Sequence, residues 1–162
     1  MNSYTRRSAI VHLGAIAVGG NVLAEHIGGG RQRSAADPID RDTVKKFVAA
    51  AHGDLALVRS MLDDEPHLIN ATWDWGAGDF ETALGGASHM ARPDIANLLL
   101  MKGARMDLFC ATMLGKLDVV RACVADNPEI VHVRGPHGIT LLRHAELAKQ
   151  DVIAKLLVAA GA

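Results

Sequence analysis

Residues 82–104 read TALGGASHMARPDIANLLLMKGA. The stretch divides into a first helix, a short turn and a second, antiparallel helix. Ala87 puts a small side chain where neighbouring first helices can stack closely. Pro93 suits the first turn of the second helix, where a missing N–H removes no bond. Asp94 beside it can cap free N–H groups and complement the helix dipole. Leu98 and Leu99 belong to the core. One such pair cannot bury its apolar face alone, so copies must stack.

Copies lie on both sides. GDLALVRSMLDDEPHLI at 53–69 stands 62 residues before GKLDVVRACVADNPEIV at 115–131. Gly53/Gly115, Leu55/Leu117, Val58/Val120, Arg59/Arg121 and Pro66/Pro128 match. A last copy opens TLLRHA at Thr140 and closes AKLLVAAGA at Ala162. Ala49/Ala50, Ala87, Ala111 and Ala145 are the expected stacking positions. Asp54, Asp94, Asp118 and Asp151 stand at or near the starts of the second helices. Leu156 and Leu157 repeat the pair at Leu98 and Leu99.

These residues resemble the ankyrin repeat: Thr-Pro-Leu-His-x-Ala, a turn, a second helix ending in a Leu pair, then Gly-Ala. Residues 82–104 resemble it most and 139–162 next; the likeness covers about 120 residues. The Pro and His of the pattern are replaced by Ala83 and Gly85, and by Leu141 and Arg143. The first and third copies lack the Thr-x-Leu opening. The resemblance implies an all-α, ankyrin-repeat α-solenoid of about four helix pairs. It also implies binding through loop or hairpin fingers and the adjoining first-helix face. From Ala49 through Ala87 and Ala111 to Ala145 the steps are 38, 24 and 34 residues, against a usual step of about 33. The short middle step leaves two substantial fingers, near 66–82 and 129–140.

Composition agrees. Apolar residues are 49% and charged residues 22% of the 162, a globular rather than disordered balance. Aromatics are scarce, so aliphatic residues must fill the core. The formal charge of -1 gives no footprint for nucleic acid or anionic lipid. No apolar run reaches the roughly 18–20 residues of a membrane span.

Residues 1–24 read as an export signal. Arg6-Arg7 precedes a mildly apolar stretch from Ala9 to Val18, and Val22-Leu23-Ala24 offers a cleavage site. The segment resembles a twin-arginine signal, with Ala9 where Phe is common. Its removal leaves 15 basic and 18 acidic residues, a formal charge of -3. Residues 25–41, with Gly28-Gly29-Gly30, Ser34 and Pro38, read as a flexible linker. The repeat domain is then 42–162, with Asp42 or Thr43 capping a helix that starts at Val44.

The unusual segment is WDWGAGDFE at 73–81, with three of the mature chain's five aromatics. Trp73, Asp74, Trp75, Asp79, Phe80 and Glu81 are the expected partner-binding residues, because exposed aromatics anchor interfaces. The bland reading is a lid folded back on the first helix pairs. Asp74, Asp79 and Glu81 also admit a ligand-binding or carbohydrate-active enzyme, but no His or Ser partner is placed by sequence. His52, His67, His89, His132, His137 and His144 are scattered over different copies, without ligand spacing inside one helix. They read as surface or capping residues, and His12 and His26 fall in the signal and linker. Cys110 and Cys123 fit as small core residues, with a bridge the less favoured reading. Arg59 and Arg121 read as solvated stems. The expectation is a monomeric, non-catalytic module without cofactor or metal, exported to the periplasm, that binds another protein.

Overall fold

The computed structural model describes residues 37–162. The expected export signal, 1–24, and most of the expected linker lie outside the described residues. Asp37–Asp40 are non-helical. Helix α1, Arg41–Ala50, is capped by Asp40, whose carboxylate accepts from the Thr43 N–H at 2.9 Å and its hydroxyl at 3.0 Å. The helix therefore starts three residues before the expected Val44, with Asp42 in its first turn. Asp40 takes the cap because its side chain reaches the N–H three residues on.

Eight α-helices among the described residues form four consecutive pairs. They are α1 with α2 (Leu55–Asp64), α3 (Ala83–His89) with α4 (Pro93–Met101), α5 (Leu108–Met113) with α6 (Leu117–Asp126), and α7 (Leu141–Leu147) with α8 (Asp151–Ala159). The members of each pair touch, and the first helices α1, α3, α5 and α7 pack in that order. Ala50, Ala87, Ala111 and Ala145 are buried along this stack, whereas Ala49 is exposed. A larger side chain there would hold adjacent backbones apart. Among the described residues the fold is all-α apart from one hairpin and one isolated bridge, and no helix is long and apolar enough to cross a membrane.

Capping explains how short first helices hold. Thr82, Asp107 and Thr140 precede α3, α5 and α7, and their side chains accept from Gly85, Cys110 and Arg143 N–H groups. The third copy thus uses Asp107 where Thr82 and Thr140 serve elsewhere. Of the four aspartates expected at the second helices, only Asp54 caps, accepting from Leu57 N–H at 2.9 Å. Asp94, Asp118 and Asp151 lie within the first turn. There they complement the dipole, and Asp94 and Asp118 also pair with Arg92 and Arg121.

Two apolar clusters run through the stack. Phe47, Val58, Leu84, Ile95, Leu99 and Met113 anchor one across the first three pairs. Val120, Leu141, Ile153 and Leu157 anchor the other across the last two. Leu156, expected in the core, is only partly buried. Full burial of one such side chain contributes about 1.5–3 kcal/mol; truncating Leu99 to Ala would cost about 2–5 kcal/mol. Cys110 and Cys123 are free thiols, and burial pushes the Cys110 thiol up to about 11.

Where two fingers are expected, near 66–82 and 129–140, the chain forms a short hairpin and a loop of 3-10 turns. The first is a 3-10 turn, Pro66–Asn70, followed by strands β1 (Thr72–Asp74) and β2 (Phe80–Thr82). They pair antiparallel, with Thr72 opposite Thr82, Trp73 opposite Glu81 and Asp74 opposite Phe80. Gly76, Ala77 and Gly78 turn between them with φ of 134°, 54° and 85°. A side chain at Gly76 would be strained at that φ. The second finger has 3-10 turns at Pro128–His132 and Pro136–Gly138 and a single bridge, Arg134 to Thr140.

Candidate functional site

Successive residues of a strand point to opposite faces, and β2 divides its chemistry accordingly. Phe80 faces outward, 62% exposed. Glu81 faces inward, its side chain 0% exposed. Around the Glu81 carboxylate stand three imidazoles from three separate elements. His52 follows the end of α1, His89 ends α3, and His137 lies in the second finger. One ligand-capable atom from each of the four residues lies within 4.8 Å of every other.

The stacking itself brings His52 and His89 together. Each follows a buried stacking alanine by two residues, Ala50 and Ala87. The two rings sit edge to face with centroids 4.8 Å apart. Glycine makes the room. A Cβ on Gly86 would stand 2.9 Å from His52 Cε1, and one on Gly85 would stand 3.3 Å from Glu81 Cγ.

Hydrogen bonds on the far side of two rings set their tautomers. His52 Nδ1 lies 3.1 Å from the Val48 carbonyl and 3.2 Å from that of Ala49. Carbonyl oxygens only accept, so Nδ1 carries the proton. His137 Nδ1 lies 2.8 Å from Asp79 Oδ2, while its backbone N–H donates to Asp79 Oδ1 at 2.9 Å. This two-point grip holds His137 at φ 57°, a left-handed conformation uncommon outside glycine. In the neutral forms of His52 and His137, Nε2 therefore presents a lone pair inward.

Those lone pairs meet an anion. His52 Nε2 is 3.4 Å and His137 Nε2 3.6 Å from Glu81 Oε2. His89 Nε2 is 2.9 Å from Glu81 Oε1 and 3.1 Å from His52 Nε2. The Trp75 indole N–H donates to Oε2 at 2.7 Å. Oε1 is buried and close to His89, yet without a hydrogen bond of acceptable direction. Burial pushes the Glu81 carboxyl up, but His52, His89 and the Trp75 N–H outweigh it and hold it at about 2. The His52 imidazole is raised, chiefly by Glu81 against the opposing effect of burial.

The six residues expected to bind a partner thus separate. Phe80 and Asp74 are exposed, Asp74 accepting from the Gly76 N–H at 2.9 Å. Trp75 is 36% exposed. Trp73 is half-buried, with Arg41 and Lys45 each 5.5 Å from its ring centre. Asp79 is half-buried and committed to His137. Glu81 is out of a partner's reach, because the strand alternation turns it inward. The reading of the histidines as scattered surface residues is also corrected. His89 and His144 are buried, and His52, His89 and His137 converge. Local spacing could not reveal this, since each comes from a different copy. No protein-family model matches this chain, and no curated protein matches it.

Proposed function

We propose that this chain is an ankyrin-type repeat scaffold that binds another protein and acts as an exported, monomeric, non-catalytic module. The first finger and the groove beside it form the binding face. The carrying observation is Phe80, 62% exposed on β2, next to the half-exposed rings of Trp73 and Trp75. A groove of about 380 Å³ runs from Phe80 past Phe109 to Gly135 and Pro136, between the two fingers. A large apolar ring at the rim of such a groove suits a protein contact. The repeats support the scaffold, and the Arg6-Arg7 segment supports export.

Retention of a partner from the exported fraction tests this reading. Phe80→Ala should retain at least about tenfold less of it, a change of about 1.4 kcal/mol, with unfolding unaltered to within about 0.5 kcal/mol. Equal retention by both chains would remove Phe80 from the interface. The alternative is a ligand-binding or carbohydrate-active enzyme. It is favoured by Asp79 and Glu81 both facing His137, at 2.8 Å and 3.6 Å; Asp74 does not join them. Turnover of a glycoside by the wild type, abolished in Glu81→Gln, would establish that alternative instead.

A further inference from the structure

We propose that His52, His89, His137 and Glu81 are the ligands of a divalent zinc ion. Four features converge on it. The donor set is three imidazole nitrogens and one carboxylate oxygen, the borderline nitrogen-and-oxygen chemistry that suits zinc and not calcium or magnesium. The geometry fits next. Zinc–ligand bonds of roughly 2.0–2.1 Å in a tetrahedron put ligands roughly 3.3 Å apart. His89 Nε2 stands 2.9 Å from Glu81 Oε1 and 3.1 Å from His52 Nε2, while His52 and His137 approach the carboxylate's other oxygen at 3.4 and 3.6 Å. The wider ones reach at most 4.8 Å, and the partly exposed His137, carried on a finger, can close them.

The surroundings are those of a metal centre. Ligating imidazoles donate their second ring N–H to a carbonyl or carboxylate, which fixes ring and tautomer. His52 does so to Val48 and His137 to Asp79. Trp75 holds one oxygen of Glu81 and leaves Oε1, the buried oxygen without a hydrogen bond, to ligate. With Nδ1–H of His52 and of His137 bonded outward, their Nε2 atoms and the buried Glu81 carboxylate face one common centre, where a cation would meet all three.

Four protein ligands make this a closed centre, whose ion contributes folding energy rather than an open reaction site. It ties the first, second and fourth copies together through the two fingers. The finger carrying Phe80 is then held in one arrangement, which lowers the ordering cost of binding. The zinc site stands on its own geometry, whether or not Phe80 touches a partner.

The test uses the untagged full chain, stripped with a chelator and titrated with zinc chloride in a calorimeter. One equivalent should bind, and the melting temperature should rise with zinc and fall back on chelation. Cobalt(II) in place of zinc should give the intense visible absorption of a tetrahedral centre. His137→Ala and Glu81→Gln should each weaken zinc binding by more than about 100-fold. His67→Ala with His132→Ala, two exposed histidines outside the cluster, should bind as the wild type does. If Glu81→Gln does not fold, His137→Ala decides, because that ring is partly exposed on a finger. Zinc uptake by the wild type no greater than by His137→Ala overturns the proposal and leaves a cluster that shares protons. Calcium or magnesium binding as tight as zinc overturns it equally.

Discussion

The indole N–H of Trp75 donates to Oε2 of Glu81 across 2.7 Å. One residue at the turn of the first finger thereby reaches the buried carboxylate at its base. Replacing Trp75 by Phe keeps an aromatic ring and removes the donor. Glu81 then loses its one N–H from outside the histidines. Urea unfolding in the presence of chelator should show a loss of about 1.5–3 kcal/mol, as for a hydrogen bond to a charged group. Zinc affinity should fall about tenfold or more, as when an outer partner of a ligand is removed. An unchanged urea midpoint would mean that Trp75 only lies over the site.

Gly86 tests the packing of His52 against α3. In a free helical position Gly→Ala stabilises by about 1 kcal/mol. Here the new Cβ would stand 2.9 Å from His52 Cε1. His52 is half-buried and can swing away, so Gly86→Ala should leave stability within about 1 kcal/mol of wild type. The displaced ring no longer meets the other ligands, and zinc affinity should fall at least about tenfold. Calorimetry and thermal unfolding on the same variant separate the two effects. An undiminished affinity would place His52 outside the site.

His144 carries a pH dependence of known sign. It is buried, donates Nδ1–H to the Thr140 carbonyl at 2.8 Å, and stacks on Phe109. Burial lowers its pKa below the ordinary 6.5. The unfolded chain therefore binds this proton first as pH falls. The stability His144 contributes is present above about pH 6.5 and is lost as pH falls toward its folded value. His52, raised, has the opposite sign: its contribution is present below about pH 6.5 and lost as pH rises through its folded value. Glu81, held at about 2, stays ionised throughout this window. Urea midpoints of wild type and His144→Gln, measured with chelator from about pH 8 to about pH 5.5, isolate the His144 contribution as their difference. That difference should shrink as pH falls; one independent of pH would show that His144 does not titrate in this window.

The proposed export rests on Arg6-Arg7. The twin-arginine route reads the arginine pair itself, so Arg6→Lys with Arg7→Lys should leave the chain unprocessed in the cytoplasm. Fractionation followed by immunoblotting checks this. Normal processing of the doubly changed chain would assign it to a different route.

The order of the helices was legible in the sequence because it follows from local rules. Repeated Gly, Leu, Val and Pro positions announced helix pairs, small alanines announced close stacking, and the spacing of those alanines announced two fingers. The Thr82 and Thr140 openings marked first helices. Asp107 carries no such mark, because the backbone of α5 accepts an aspartate cap where α3 and α7 have threonine. Asp94, Asp118 and Asp151 stand near the starts of second helices as expected, but in the first turn rather than at the cap, because a carboxylate suits both positions. Trp73 to Glu81 stood out by composition, but period-two alternation alone could not say which face was inward.

Tertiary structure decided the histidine cluster. His52, Glu81, His89 and His137 come from a helix end, a strand, a second helix and a loop, so within-helix ligand spacing could not show them together. His52 and His89 each stand two residues after a buried alanine of the stack, Ala50 and Ala87, a match that shows only once Ala50 rather than Ala49 is the buried one. His137 had no such mark. It reaches the cluster because Asp79 of the first finger grips it from a separation of 58 residues, and a contact between two fingers exists only after the stack has set their distance. The sequence by itself determined what stacks; only the packed stack determined what the fingers enclose, because charge and lone pairs act through space rather than along the chain.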